Sequence, residues 1–297
     1  MIRQTKTRGR ACAPAVRQPR KNTATAAPGC PPARPEASGG IADAVAEVLS
    51  PSQVRTYLDC SAKWWYSTGL NLPDPPGAAL IRGRVMHQVV EMYYRARLAG
   101  DAPTFADLDQ PFALAWESEC DGALFVAGDD VDALRDQAAA ITARYLGEVA
   151  PKIDPAGVEL PVAGRIGGVE IHGIVDLLDT SGRIIDLKSA ARKPAGVAAS
   201  YGFQIATYSQ LLPQASGEAR IDTAVCTKTP SIVTMSYTVS AADRLMTERV
   251  YPRVQQAMRD GMVLPNRGSN LCSRKYCNFW AECEDEFGGR VKQGKAE

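Results

Sequence analysis

The stretch Gly168–Ala190, GVEIHGIVDLLDTSGRIIDLKSA, decides how this chain folds. It holds two strand-like runs, GVEIHGIVDLLD and GRIIDLK, joined by a turn in which Gly182 suits a positive φ. A three-residue loop of Thr180, Ser181 and Gly182 sets Asp176 opposite Asp186 and leaves Lys188 on the face of Asp186. A bulge at Gly182 would slip that register. Opposed carboxylates weaken a sheet, and in apolar runs their unpaired charge is costly. A divalent cation between them reverses the penalty. Mg²⁺ takes oxygen ligands, commonly one or two carboxylates plus a substrate phosphate. Lys188 would add a point charge beside a reacting phosphate. A salt-bridged hairpin on a solvated sheet face is the competing reading of the same spacing.

Outward from the hairpin, GVELPVAG (157–164) reads as a strand before it, and RIDTAVCTK (220–228) and SIVTMSYTV (231–239) as strands after it. Helices are expected over about 196–212 and 241–260. The region before Pro155 reads as helical: one helix capped by Ser50 with Pro51 in its first turn and ending before Gly69, one over 83–98, and two near 105–119 and 129–149. The order predicts an α/β fold with a mixed central β-sheet flanked by helices, a helical N-terminal part and a Cys-rich C-terminal region.

The 297 residues carry a net charge of +1, and no apolar run approaches a membrane span. Residues 1–40 hold eight Lys/Arg and one acid, and no Phe, Trp or Tyr; they read as a disordered basic tail. The remaining 257 hold 26 basic and 32 acidic residues, so nucleic-acid binding would need a local patch. Arg55, Lys63, Arg82, Arg84, Arg192, Lys193, Arg274 and Lys275 flank the motifs and are the candidates. The globular domain is expected over 41–287, with 288–297 a C-terminal tail. The G-x4-G-K run from Gly289 to Lys295 is followed by Ala296 and has no preceding strand, so it is no phosphate-binding loop.

His87, with Glu91 one turn later, would carry a mixed nitrogen and oxygen metal site toward the hairpin if its helix packs there; a buried, hydrogen-bonded His is the plainer reading. His172 reads as structural or surface. Gln204 and Tyr208 share a helix face. Cys272, Cys277 and Cys283 follow C-x4-C-x5-C, a soft-metal pattern for zinc or an iron–sulfur cluster. Cys60 is the best fourth ligand, and Cys120 and Cys226 read as core. No secretory signal is evident, so a disulfide framework is not expected.

These motifs, in this order over roughly residues 48–285, resemble the RecB-like exonuclease branch of the PD-(D/E)XK nuclease superfamily in its iron–sulfur form. LSPSQVRTYLDC is similar to the family's first helix and first cluster cysteine, Cys60, and GRVMH to its Gly-x3-His motif. GIVDLLD and IIDLKSA resemble its two metal-binding strands, and QIATY its Q-x3-Y motif. The resemblance implies a restriction-endonuclease-like core and a metal-dependent DNA exonuclease. It implies Mg²⁺ or Mn²⁺ on His87, Asp176 and Asp186, with catalytic roles for Asp176, Asp186, Lys188, Gln204 and Tyr208. It also implies a [4Fe–4S] cluster, with zinc as the alternative, on Cys60, Cys272, Cys277 and Cys283. The implied setting is DNA with free ends in recombination, repair or phage DNA processing, in the cytoplasm of a bacterial or phage-infected cell, with a helicase, recombinase or single-strand-annealing partner. A non-catalytic DNA-binding accessory subunit is the alternative. Two departures stand out: a four-residue first gap in the cysteine motif, where two is commoner, and Ser61 where Pro is usual.

Overall fold

The hairpin forms in the register its sequence sets. This computed structural model describes residues 47–126 and 128–293; the basic tail expected at 1–40 lies outside them. Strands β3 (Val169–Asp179) and β4 (Ile184–Ala190) pair Leu177 with Ile185 and Leu178 with Ile184. The Asp179 N–H donates to the Arg183 carbonyl at 3.1 Å, so Thr180–Gly182 is the loop, and Gly182 has φ 78°.

The six strands form one mixed sheet. β2 (Pro155–Ile166) runs antiparallel along all of β3. The other edge of β3 is shared between two neighbours. The short β1 (Val48–Leu49) lies parallel to its start, and β4 lies antiparallel to its end. β5 (Glu218–Val225) is parallel to β4, and β6 (Ser231–Thr238) is antiparallel to β5. Helices α1 (Pro51–Asp59), α2 (Ser61–Trp64), α3 (Ala78–Leu98), α4 (Asp109–Cys120) and α5 (Val131–Glu148) precede β2. α6 (Ala199–Leu211) makes the crossover that a parallel β4–β5 pair requires, and α7 (Ala241–Arg259) and α8 (Trp280–Phe287) follow the sheet.

Helices cover both sheet faces, as an α/β fold requires. Val158, Leu177, Ile185 and Leu187 pack with α3, α4 and α5, around Val85, Met86, Val89 and Ile141. Val175, Leu178 and Ile184 pack with α6, around Ile205 and Tyr208. α1 and α7 close over the start of β3, where Val54, Tyr251 and Val254 meet Ile171. Each such side chain, fully buried, contributes about 1.5–3 kcal/mol, so the sheet is held by its apolar contacts. No helix among the described residues is long and apolar enough to cross a membrane.

Three boundaries differ from the sequence reading. Ser50 caps α1 as expected, in a capping box with Gln53, but the helix stops at Asp59 instead of running toward Gly69. Cys60 is extended, α2 restarts at Ser61, and a π turn at Trp65–Gly69 ends the segment. Tertiary contacts impose the break: Asn266 Nδ2 donates to the Asp59 carbonyl at 2.7 Å, and the Asn266 N–H to Cys60 Sγ at 3.5 Å. α3 begins at Ala78, five residues before the expected start. Residues 288–292, expected as the start of a tail, fold back: the Arg274 N–H donates to the Lys292 carbonyl at 2.8 Å, and Val291 is buried.

Candidate metal centre and cysteine lobe

The site lies where the sheet forks. Past Leu177 and Ile185 the β3–β4 ladder ends. Asp176 and Asp186 stand at opposite positions, and the Asp176 Oδ2 accepts the Leu187 N–H at 2.9 Å where the ladder would have continued. Asp186 is 2% exposed. Its Oδ1 accepts from Lys188 Nζ at 2.8 Å, and its Oδ2 is buried with no hydrogen-bond partner among the described residues. Such an oxygen is costly in a protein interior unless a cation meets it.

Two glycines let the flanking helices close in. A Cβ on Gly83 would stand 2.7 Å from Ser189 Oγ, and one on Gly173 would stand 2.5 Å from Tyr208 Cε1. Gly83 therefore lets α3 lie against β4, and His87, four residues on, comes to 3.7 Å from Asp176 Oδ2 through Nδ1. Gly173 lets Tyr208 pack on β3, where Gln204 Nε2 donates to its hydroxyl at 3.3 Å.

Glu159 joins this group, although the hairpin motif does not contain it. Val158 pairs with Leu177 and Leu160 with Val175, so Glu159 stands opposite Asp176. It takes φ 48°, a left-handed conformation uncommon for a non-glycine residue. The strands change face there: Val158 and Leu177 pack toward α3–α5, whereas Leu160 and Val175 pack toward α6. One ligand atom each from His87, Glu159 and Asp176 falls within 4.8 Å of the others. The sequence held the signal. Gly167-Gly168 is a two-residue hairpin turn pairing Ile166 with Val169, and counting back from it sets Glu159 against Asp176.

The electrostatics are those of a cation site. Burial pushes the Glu159 carboxyl up to about 7, with Asp176 and Glu91 adding to it. Burial also raises Asp186, to about 6; Asp176 adds to the rise and Lys188 opposes it. Burial alone would lower Lys188, but Asp186 and Asp176 outweigh it and hold the ammonium above its ordinary range. Lys188 Nζ also lies 5.3 Å from the Tyr201 ring centre. One imidazole and several carboxylates, including an orphaned buried oxygen, suit a hard divalent cation such as Mg²⁺ or Mn²⁺.

Cys60, Cys272, Cys277 and Cys283 are free thiols lining one cavity of about 430 Å³ that opens to solvent. Ala62, Tyr66, Val263, Phe279 and Cys283 form a small apolar cluster beside it, against which Cys60 and Cys277 pack. Burial raises the Cys283 thiol to about 11. It also raises Cys277, against the pull of the Phe279 N–H. Cys120 is buried in the α3–α5 core and Cys226 packs against it. His172 is exposed.

Half of the eight cations of the expected patch are engaged in internal contacts. Lys63 pairs with Asp74 at 3.6 Å, Arg84 with Glu119 at 3.4 Å, and Arg274 with Glu284 at 3.1 Å. Arg82 is buried against Gln137.

The model of the PD-(D/E)XK nuclease superfamily matches residues 48–284, spanning every element from β1 through most of α8. The chain belongs to the PD-(D/E)XK nuclease superfamily. Among solved structures, this nuclease is similar to a protein from Eubacterium rectale provisionally named an exonuclease. Identity is 18%, coverage 76% of this chain and 86% of that one, and the TM-score 0.49. It is also similar to the protein SSO0001, at 14% identity, 67% and 84% coverage and a TM-score of 0.33. No protein of curated function matches the nuclease in sequence. PD-(D/E)XK nucleases use divalent metals, and the fork supplies residues that fit one.

Proposed function

We propose that this chain is a metal-dependent DNA exonuclease. The fork carries the reading: the buried, unpartnered Asp186 Oδ2 stands beside Lys188, with His87, Glu159 and Asp176 at the same opening. His87, Asp176 and Asp186, joined by Glu159, would hold the cation, which lowers the pKa of a bound water and polarises the scissile phosphate. Lys188, kept protonated by two carboxylates, places its charge where negative charge develops on the phosphoryl oxygens. Gln204 and Tyr208 orient the backbone of the bound strand, the hydroxyl of Tyr208 held in place by Gln204. The exonucleolytic direction of the reading rests on the RecB-like motif order. It implies a chain acting on DNA ends in recombination, repair or phage DNA processing, in the cytoplasm, where a helicase or recombinase would supply the ends.

The four cysteines are proposed to hold a structural [4Fe–4S] cluster. The four cysteines line one cavity, and Cys60 and Cys277 pack on the apolar cluster that contains Cys283. The Asn266 N–H directed at Cys60 Sγ is the kind of hydrogen bond that tunes cluster sulfurs. Anaerobically purified protein should be brown and hold iron and acid-labile sulfide in equal amounts; a colourless protein holding zinc would refute the cluster.

The decisive assay offers end-labelled linear and circular single-stranded DNA with Mg²⁺ or Mn²⁺. Wild-type protein should degrade only the linear substrate, and Lys188→Ala should lose about a thousandfold in rate or more. Cleavage of the circle would make it an endonuclease. Binding without hydrolysis by both proteins would favour an accessory subunit.

A further inference from the structure

Residues 41–297, with 26 basic and 32 acidic side chains, must still hold a polyanion, and pairing removes part of the candidate cation patch. Three cations with no carboxylate in range lie on neighbouring loops. Arg192 and Lys193 lie in the exposed loop between β4 and α6, and Lys228 in the exposed loop between β5 and β6. β4 and β5 are parallel neighbours whose last pair is Ala190 with Val225, and the Cys226 N–H donates to the Ala190 carbonyl at 2.8 Å. The two loops therefore leave the sheet side by side from the same end. Among the described residues no carboxylate lies within 4 Å of any of these three cations. Beneath the loops, Arg82 donates to Gln137 Oε1 at 2.7 Å; its Nε is buried without a partner among the described residues, and it too has no carboxylate in range.

The same end of β4 carries Lys188. Arg192 follows it by four residues, so an extended chain separates them by at most about 14 Å. That is the axial rise of about four nucleotides of one strand. Tyr201, whose ring faces Lys188, stands at the inner margin of this cationic rim. Unpaired cations beside an aromatic face are the combination that binds single-stranded nucleic acid.

We infer that Arg192, Lys193 and Lys228 form the backbone track of the substrate: the single DNA strand whose phosphodiester lies at the fork continues across these two loops, its phosphates neutralised by the three cations. The inference rests on the nuclease reading for the identity of the ligand, but its test reads binding alone.

The test measures the Kd of a labelled single-stranded oligonucleotide from 50 to 200 mM NaCl, with Ca²⁺ replacing Mg²⁺. Each phosphate contact contributes about −0.7 to the slope of log K against log salt on a single strand. Arg192→Ala/Lys193→Ala/Lys228→Ala should make the slope shallower by about 2. The matched control, Arg249→Ala/Arg253→Ala/Arg259→Ala on the exposed side of α7, should leave it unchanged. An unaltered slope in the loop variant overturns the inference, as does an equal change in both variants or a wild-type protein that does not bind the strand. A wild-type protein that binds with the expected slopes but cleaves nothing under Mg²⁺ or Mn²⁺ keeps the track and sinks the nuclease reading instead.

Discussion

The carboxylate fork takes Asp176, Asp186 and Lys188 from a single hairpin, whereas the cysteine lobe joins Cys60 to three cysteines more than two hundred residues later. The fork stands between two apolar cores, its side chains carried on regular strands and helices. The lobe has only a five-residue buried cluster and mostly irregular backbone. A cluster that small cannot offset much ordering entropy. The difference separates two uses of a metal: in the fork an ion would complete chemistry on a finished scaffold, and in the lobe it would complete the scaffold.

The sharpest way to break this contrast is Asp186→Asn. Cleavage should fall about a thousandfold, while the melting temperature holds or rises, because the change removes a buried charge with an unmatched oxygen. An early melt would show that the fork is not self-supporting. Cys60→Ser should do the reverse. The metal of the lobe is lost, protease cuts within residues 262–293 appear, and that region loses about 3 kcal/mol or more, while Mn²⁺ binding at the fork persists. Unaltered protease resistance would remove the distinction. Within the fork, Glu159→Gln should weaken Mn²⁺ about tenfold by calorimetry with no loss of fold; unchanged affinity would exclude it from the ligand set.

The smallest effect is at the hairpin turn. Burial acts to raise the Asp179 carboxyl, but hydrogen bonds from Ser181 and Arg183 outweigh it and hold the group below its ordinary value. A depressed folded pKa gives stability that is full above the unfolded value of about 3.9 and is lost as pH falls through the folded one. Asp179→Asn should therefore cost about 1 kcal/mol at neutral pH, with the gap to wild type closing in urea melts as pH falls below the unfolded value and through the lower folded one.

Much of the fork was legible because its information is local. The turn at Gly182, the register and, beyond the fork, the cap at Ser50 follow from residues a few positions apart. Glu159 was missed because its role needs two hairpins counted together and a left-handed residue inside a strand. The break at Cys60 was missed because Asn266 and Ser269 impose it from the far end of the chain. The cation patch was overdrawn because pairs such as Arg84–Glu119 join helices whose packing no local pattern announces.

The tie between Asp59 and Ser269, 210 residues apart, also sets a timetable. A ribosome adds about 5–20 residues per second, so α1 emerges roughly 10–40 s before the segment that anchors its end. During synthesis the first of the described helices to appear is the last to have its end anchored, and residues 78–225 can assemble the fork before that anchor exists.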